Sequence, residues 1–156
     1  MLSETWITSE DQASQLQIEN YTHYYNFRTD VRGGGVSAYV HNNLQHSLIE
    51  STYRGGNNYL WVHIEQCAVD VGLVYKPGDT NFEQFISDYD IQLQQRKRSI
   101  VFGDFNINLL ENNKQLTKYK QILYESGYRL LNKINKTFCT RDSTTKKSIR
   151  DHVSTK

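Results

Sequence analysis

The chain has 156 residues, 37% of them hydrophobic and 22% charged, with a formal net charge of +1. That length fits one domain with a real core, and eleven tyrosines, six phenylalanines and two tryptophans argue against disorder. No run of about 18 apolar residues is available to span a membrane as a helix, and the charge balance neither favours nor excludes nucleic acid, which would need a basic face.

Met1-Leu2-Ser3 runs into Glu4-Thr5-Trp6 without a basic head or an apolar stretch, so no signal peptide is read. Asp30-Val31-Arg32-Gly33-Gly34 reads as a tight loop whose glycines supply positive φ. It opens a strand from Gly35 to Val40 with Val36, Ala38 and Val40 on one face. From Tyr59 to Glu65, Leu60, Val62 and Ile64 alternate with Trp61, His63 and Glu65. Val69, Val71 and Leu73 continue the pattern after a short turn, which predicts two antiparallel neighbours. Cys67 and Cys139 lie far apart and lack metal-ligand spacing, so they are expected to be reduced, buried thiols of an intracellular protein.

Lys76-Pro77-Gly78-Asp79 predicts a type II turn. A helix should follow, with Thr80 and Glu83 at capping-box spacing and a stripe of Phe82, Phe85, Ile86, Tyr89 and Leu93. Arg96-Lys97-Arg98 and Lys146-Lys147 are the tight basic clusters, expected as solvated element ends. Ser99 to Phe102 reads as a short strand buried on both faces. A second helix fits Gln115 to Ser126, with Leu116, Tyr119, Ile122 and Leu123 inward and Gly127 as its stop. Strands are predicted over Tyr128 to Leu131 and Ile149 to Val153. Hairpins interrupted by two helices point to a mixed sheet system with helices packed outside.

Asp104 and Asn106 alternate just beyond a buried strand, so both side chains can face the same way. A carboxylate as proton acceptor beside a carboxamide as neutral donor suits a water and a phosphate oxygen. The same pair also reads as an Asx turn closing the strand. Glu4 alone reads as a surface carboxylate, Tyr75 as a packing residue with a wet hydroxyl, and Asp151 as a solvated charge.

The segments SETW, RGGGVSAYV, VGLVYKPG, VFGDFNINLL and KSIRDHV occur in an order that resembles the endonuclease/exonuclease/phosphatase superfamily. Within it, the chain is most similar to the apurinic-endonuclease-like domain of non-LTR retrotransposon polyproteins of the jockey type. The resemblance runs from Ser3 to Val153, and Gly103-Asp104-Phe105-Asn106 after an apolar strand is its most specific piece. It implies a two-sheet α/β sandwich with outer helices, hydrolysing a DNA phosphodiester with Mg²⁺. Glu4 would be the metal-binding carboxylate, suited to a hard cation that keeps several waters. Asp104 would deprotonate the attacking water, Asn106 would orient water and phosphate, and Tyr75 would donate to the scissile phosphate. Asp151 would match the acid that orients a catalytic histidine. A fused reverse transcriptase and a nuclear location are implied as well.

The chain also departs from that pattern. The Asn-bearing strand ahead of the Glu motif and the Ser-Asp-His segment after the Asp151 strand have no counterpart. The domain, residues 1–156, is therefore expected to be incomplete and impaired, with about 10²–10⁴ lost in rate for want of the histidine. Asp151-His152 is not that missing pair, because neighbouring strand residues face opposite ways. Arg150 stands where the pattern is apolar and would aim a charge at the core unless its strand lies at an edge. Histidines 23, 41, 46 and 63 match no motif and are expected on surfaces or strand faces. Two other readings remain open: a catalytically inactive nucleic-acid-binding or interaction module, and a phosphatase of the same superfamily.

Overall fold

The computed structural model describes residues 1–29, 33–132, 137, 139–142 and 147–156. In chain order the elements are β1 (Leu2–Ser3), α1 (Glu10–Ser14), β2 (Tyr21–Asn26), β3 (Val36–His41), β4 (His46–Arg54) and β5 (Asn57–Ile64). After a 3-10 turn at Glu65–Cys67 come β6 (Val69–Tyr75), α2 (Phe82–Gln94), β7 (Ser99–Asp104), α3 (Lys114–Glu125) and β8 (Arg129–Leu130). Then follow β9 (Arg141–Asp142), β10 (Lys147–Ser148) and β11 (Asp151–Thr155).

The alternation of β5 dictates the layering. Tyr59 and Trp61 point one way, Leu60 and Val62 the other, and all four are buried. A strand apolar on both faces needs a cover on each. On one face, Tyr59 and Trp61 join Phe85, Ile86, Tyr89 and Leu93 of α2 and Leu116, Tyr119, Ile122 and Leu123 of α3. On the other, Leu60 and Leu73 meet Val36 and Ala38 of β3. Aromatic rings run through the larger cluster, with Phe85 and Tyr89 at 5.3 Å and Phe105 and Tyr119 at 5.4 Å. Truncating a buried ring such as Phe85 to alanine costs about 3–5 kcal/mol in sites of this kind.

The six-stranded sheet has the order β4-β5-β6-β7-β11-β8, and the opposing sheet the order β1-β3-β2. In the larger sheet β6 and β7 run parallel, joined through α2, and the other neighbours are antiparallel. β9 and β10 form a separate ribbon. This is the two-sheet sandwich with outer helices expected from the sequence.

Several local expectations are corrected. Gly78 does not adopt positive φ, whereas a type II turn demands it at that position, so the Pro77-Gly78 turn is of another kind. Asn81, not Thr80, caps α2, its side chain accepting from Gln84 N at 3.0 Å. Thr80 instead donates to Asn57 Oδ1 and Pro77 O. β7 runs on to Asp104 and alternates in burial, because Ile100 and Phe102 are only partly covered. The last strand starts at Asp151, two residues late, because the Ile149 and Arg150 carbonyls accept from Leu109 and Phe105 in the loop after β7.

Neither cysteine is a buried thiol: Cys67 is exposed on its 3-10 turn and Cys139 is half-buried. Arg96 is no solvated end but buried, its guanidinium 4.8 Å over the Trp61 ring and paired with Glu50 at 3.3 Å. His23 is likewise buried, stacked on Tyr39 at 4.3 Å and bonded to Ser37 at 3.0 Å. Of the predicted loop at Asp30 to Gly34, the residues 30–32 lie outside the described ones, while Gly33 and Gly34 have φ of 94° and 75°. Lys146 is also outside them; Lys147 pairs with Asp142 at 3.2 Å.

Candidate active site

Three of the proposed site residues reach one sheet end through register alone. β6 and β7 are aligned so that Tyr75 faces Asp104, and β11 and β7 so that Asp151 faces Asp104. Neighbouring strands lie about 4.8 Å apart, so the three residues form a row with Asp104 in the middle. Gly103 makes the close β6–β7 approach possible. A Cβ there would lie 2.1 Å from the Val74 carbonyl oxygen, closer than any side chain can sit.

Glu4 arrives from the opposite sheet, one residue after β1. The chain is held there by Thr5 N and Trp6 N, which donate to Gly35 O and Gly34 O. Glu4 has φ of 54°, a left-handed conformation costly for a side-chain-bearing residue. It is exposed, and its Oε1 accepts from the Tyr75 hydroxyl at 2.8 Å. That bond spans the two sheets.

Asn106 also has positive φ, 50°. Its N–H donates to Asp104 Oδ1 at 3.0 Å, so the Asx turn is present, and its Nδ2 donates to Lys76 O at 2.9 Å. The two readings of Asp104 and Asn106 therefore do not compete: the turn is the device that sets both side chains at the strand end. Strain at two polar positions of one cluster, Glu4 and Asn106, marks a place where the fold holds geometry against local preference.

Asp104 is buried, and burial raises its proton affinity above the usual carboxylate range. The Asn106 N–H and the Arg141 guanidinium oppose this, while the charges of Asp151 and Glu4 add to it. Burial likewise raises the Tyr75 phenol, helped by its bond to Glu4 and by the Glu4 and Asp104 charges. Tyr75 thus stays a hydrogen-bond donor. Asp151 is exposed, and its neighbour His152 is buried on the opposite face between Tyr119 and the Ile107 carbonyl. All five sequence candidates, Glu4, Tyr75, Asp104, Asn106 and Asp151, converge on this end of the sandwich.

Among the described residues, cations that sequence reasoning did not assign also lie here, including Arg28, whose charge opposes the rise at Tyr75. Arg141 Nη2 donates to Asp104 Oδ2 at 2.8 Å, and Arg150 Nη1 to Asn106 Oδ1 at 3.0 Å. Lys76 is buried, its Nζ donating to Pro77 O at 2.9 Å, and burial lowers its proton affinity against the charges of Asp79 and Asp104. The one signal available was Arg150 as a charge in an apolar slot. β11 is not an edge strand; Arg150 escapes the core because it precedes β11 and turns toward Asn106.

Among the described residues no set of three or more His, Cys, Asp or Glu is arranged to chelate a metal. The donors present are carboxylate oxygens, and the Asp151 and Glu4 charges that raise Asp104 are negative charge a cation would relieve. That fits a hard divalent ion taking one or two protein carboxylates and several waters.

A sandwich with outer helices and a cluster of acids and a carboxamide at its strand ends is the arrangement that the sequence resemblance implied. The chain belongs to the Endonuclease/Exonuclease/phosphatase family, whose profile matches residues 1–151. Among solved structures, the endonuclease domain of TRAS1, a telomere-specific non-LTR retrotransposon, is similar at TM-score 0.67 and 20% identity. That match covers 88% of this chain and 65% of the TRAS1 chain. The 3'-5' exonuclease NExo from Neisseria meningitidis gives TM-score 0.65 at 13% identity, covering 99% of this chain and 74% of its own. Humanized D. rerio TDP2 gives 0.60 at 14%, covering 99% and 68%. At these identities the likeness is one of fold. No curated protein matches the chain.

Proposed function

We propose that this chain is a metal-assisted DNA phosphodiesterase domain of the retroelement endonuclease type. The observation that carries the reading is the convergence of Tyr75, Asp104 and Asp151 in register with Glu4 and Asn106 at the same end. The TRAS1 likeness and the retroelement-style RGGGVSAYV segment favour DNA over a small phosphorylated substrate.

In this reading Asp104 accepts the proton of the attacking water. Burial raises its proton affinity, which makes it a better proton acceptor than a free aspartate. Asn106 offers the second Nδ2 proton to a water or phosphate oxygen, its first being held by Lys76 O. Tyr75 stays protonated and donates to the substrate phosphate or, without substrate, to Glu4. Glu4 would hold a divalent cation such as Mg²⁺, which when bound offsets charge on the phosphate and on the leaving 3′ oxygen. Asp151, exposed beside Asp104, sustains the negative field at the strand end. Fusion to a reverse transcriptase belongs to the same proposal.

The test is supercoiled plasmid with Mg²⁺ and the purified chain. Slow conversion to nicked circles is expected, abolished by Asp104→Ala and by Glu4→Gln. Plasmid left intact, or nicking indifferent to Asp104→Ala, would end the nuclease reading. Salt-dependent DNA binding that survives both substitutions without any nicking would instead favour an inactive binding module.

A further inference from the structure

Arg150 breaks the apolar pattern expected before Asp151, and the fold puts it to a specific use. Its backbone is fixed on both sides: the N–H donates to Thr140 Oγ1 at 3.0 Å, and the carbonyl accepts from Phe105 N at 3.0 Å. The side chain then crosses to Asn106, where Nη1 donates to Oδ1 at 3.0 Å. This specifies the carboxamide at both ends. The Lys76 carbonyl can only accept, so it faces Nδ2; a guanidinium can only donate, so it faces Oδ1. One Nδ2 proton is left for a ligand.

A guanidinium stays charged at any working pH, so Arg150 brings a fixed positive charge to the Asn106 side of the site. From the β9–β10 ribbon, Arg141 adds a second guanidinium, bonded to the buried Asp104 while about half its own side chain (46%) faces solvent. Both guanidinium groups thus border the Asp104–Asn106 pair.

We propose that Arg150 sets the orientation of Asn106 and that its guanidinium charge helps hold the substrate phosphodiester beside it. The inference rests on the phosphodiesterase reading but can fail separately from it. Binding of a short DNA duplex is measured without metal across a salt series, for the wild type, Arg150→Met and Arg150→Lys. Plasmid nicking with Mg²⁺ is measured in parallel, and thermal unfolding confirms that each variant folds.

Arg150→Met should bind roughly 10-fold more weakly and lower the slope of log affinity against log salt by about 1. It should also slow nicking at saturating DNA. Arg150→Lys should restore the slope and not the turnover, because an ammonium lacks the planar fork that fixes the Asn106 carboxamide. Wild-type affinity and slope in a folded Arg150→Met protein overturn the proposal, whatever the nicking rate. Should Arg150→Met not fold, the same comparison is made with Arg150→Gln. An Arg150-dependent slope with plasmid untouched by the wild type keeps the phosphate contact and removes the hydrolytic reading. Nicking with Arg150-independent binding does the reverse, and a wild type that binds no duplex overturns both.

Discussion

Acid should unfold this protein through His152, a residue outside the proposed chemistry. The ring is 1% exposed and stacks on Phe105 at 5.0 Å. Nδ1 lies 3.1 Å from the Tyr119 hydroxyl and Nε2 lies 2.9 Å from the Ile107 carbonyl. A carbonyl can only accept, so the hydrogen-bond network assigns the proton to Nε2 and leaves Nδ1 to accept from Tyr119. Burial pushes the imidazole down from 6.5 to about 4, with the Ile149 and Ile107 carbonyls and the Asp151 charge pulling back. Between those values the unfolded chain holds a proton that the folded chain refuses. Stability therefore rises with pH through the window and is lost as pH falls. Each tenfold step in proton affinity is worth about 1.4 kcal/mol, so the full drop to about 4 weighs on the order of 3 kcal/mol.

The assay is urea unfolding at about pH 7.5 and about pH 4.5, comparing wild type with His152→Gln, which cannot titrate yet keeps a donor and an acceptor. The wild type should lose about 2–3 kcal/mol more than the variant across that interval. Equal losses in the two proteins would refute the argument, whichever is the more stable at neutral pH.

Three further outcomes follow from the site. Gly103→Ala should destabilise by about 1–3 kcal/mol in urea unfolding, since the new methyl would stand 2.1 Å from Val74 O and force β6 from β7; a variant as stable as wild type would contradict that packing. Asp104→Asn should melt higher than wild type at neutral pH, because burial penalises the ionised form, and the gap should close below pH 3.8, where Asp104 is protonated folded and unfolded alike. A lower melting point at neutral pH would mean that the Arg141 pair outweighs burial. Mg²⁺ at a hundred times its dissociation constant should stabilise the wild type by about 2.7 kcal/mol, or several degrees. Glu4→Gln should abolish that shift; an undiminished rise in the variant would remove Glu4 as the ligand.

Legibility followed burial. β3, β5 and β6 were readable because each packs at least one face, and the stripe of α2 because four of its five positions enter the core. β2 and β4 gave no such signal. β4 is a mostly exposed edge strand, and a register shift between Leu48 and Glu50 breaks its period of two. Tyr21 to Asn26 is a polar, aromatic segment with a single buried residue, His23. At the candidate site, family resemblance named the acids and the carboxamide that the fold brings together, but Arg141, Arg150 and Lys76 are placed by strand register and loop contacts between residues 30 or more positions apart. No local pattern reports on such pairs. Arg96 escaped for a related reason: a cation over an indole looks, in one dimension, like any surface arginine.

β11 is built from residues 151–155 yet lies inside its sheet, between β7 and β8. On the ribosome, Tyr75 and Asp104 emerge long before the strand that flanks them, and β8 waits unpaired for the same partner. A chain lacking residues 151–155 would leave the flank of β7 bare and ready to pair with a neighbouring molecule. Loss of this one short strand should therefore give aggregate and not a folded sheet with a gap in it.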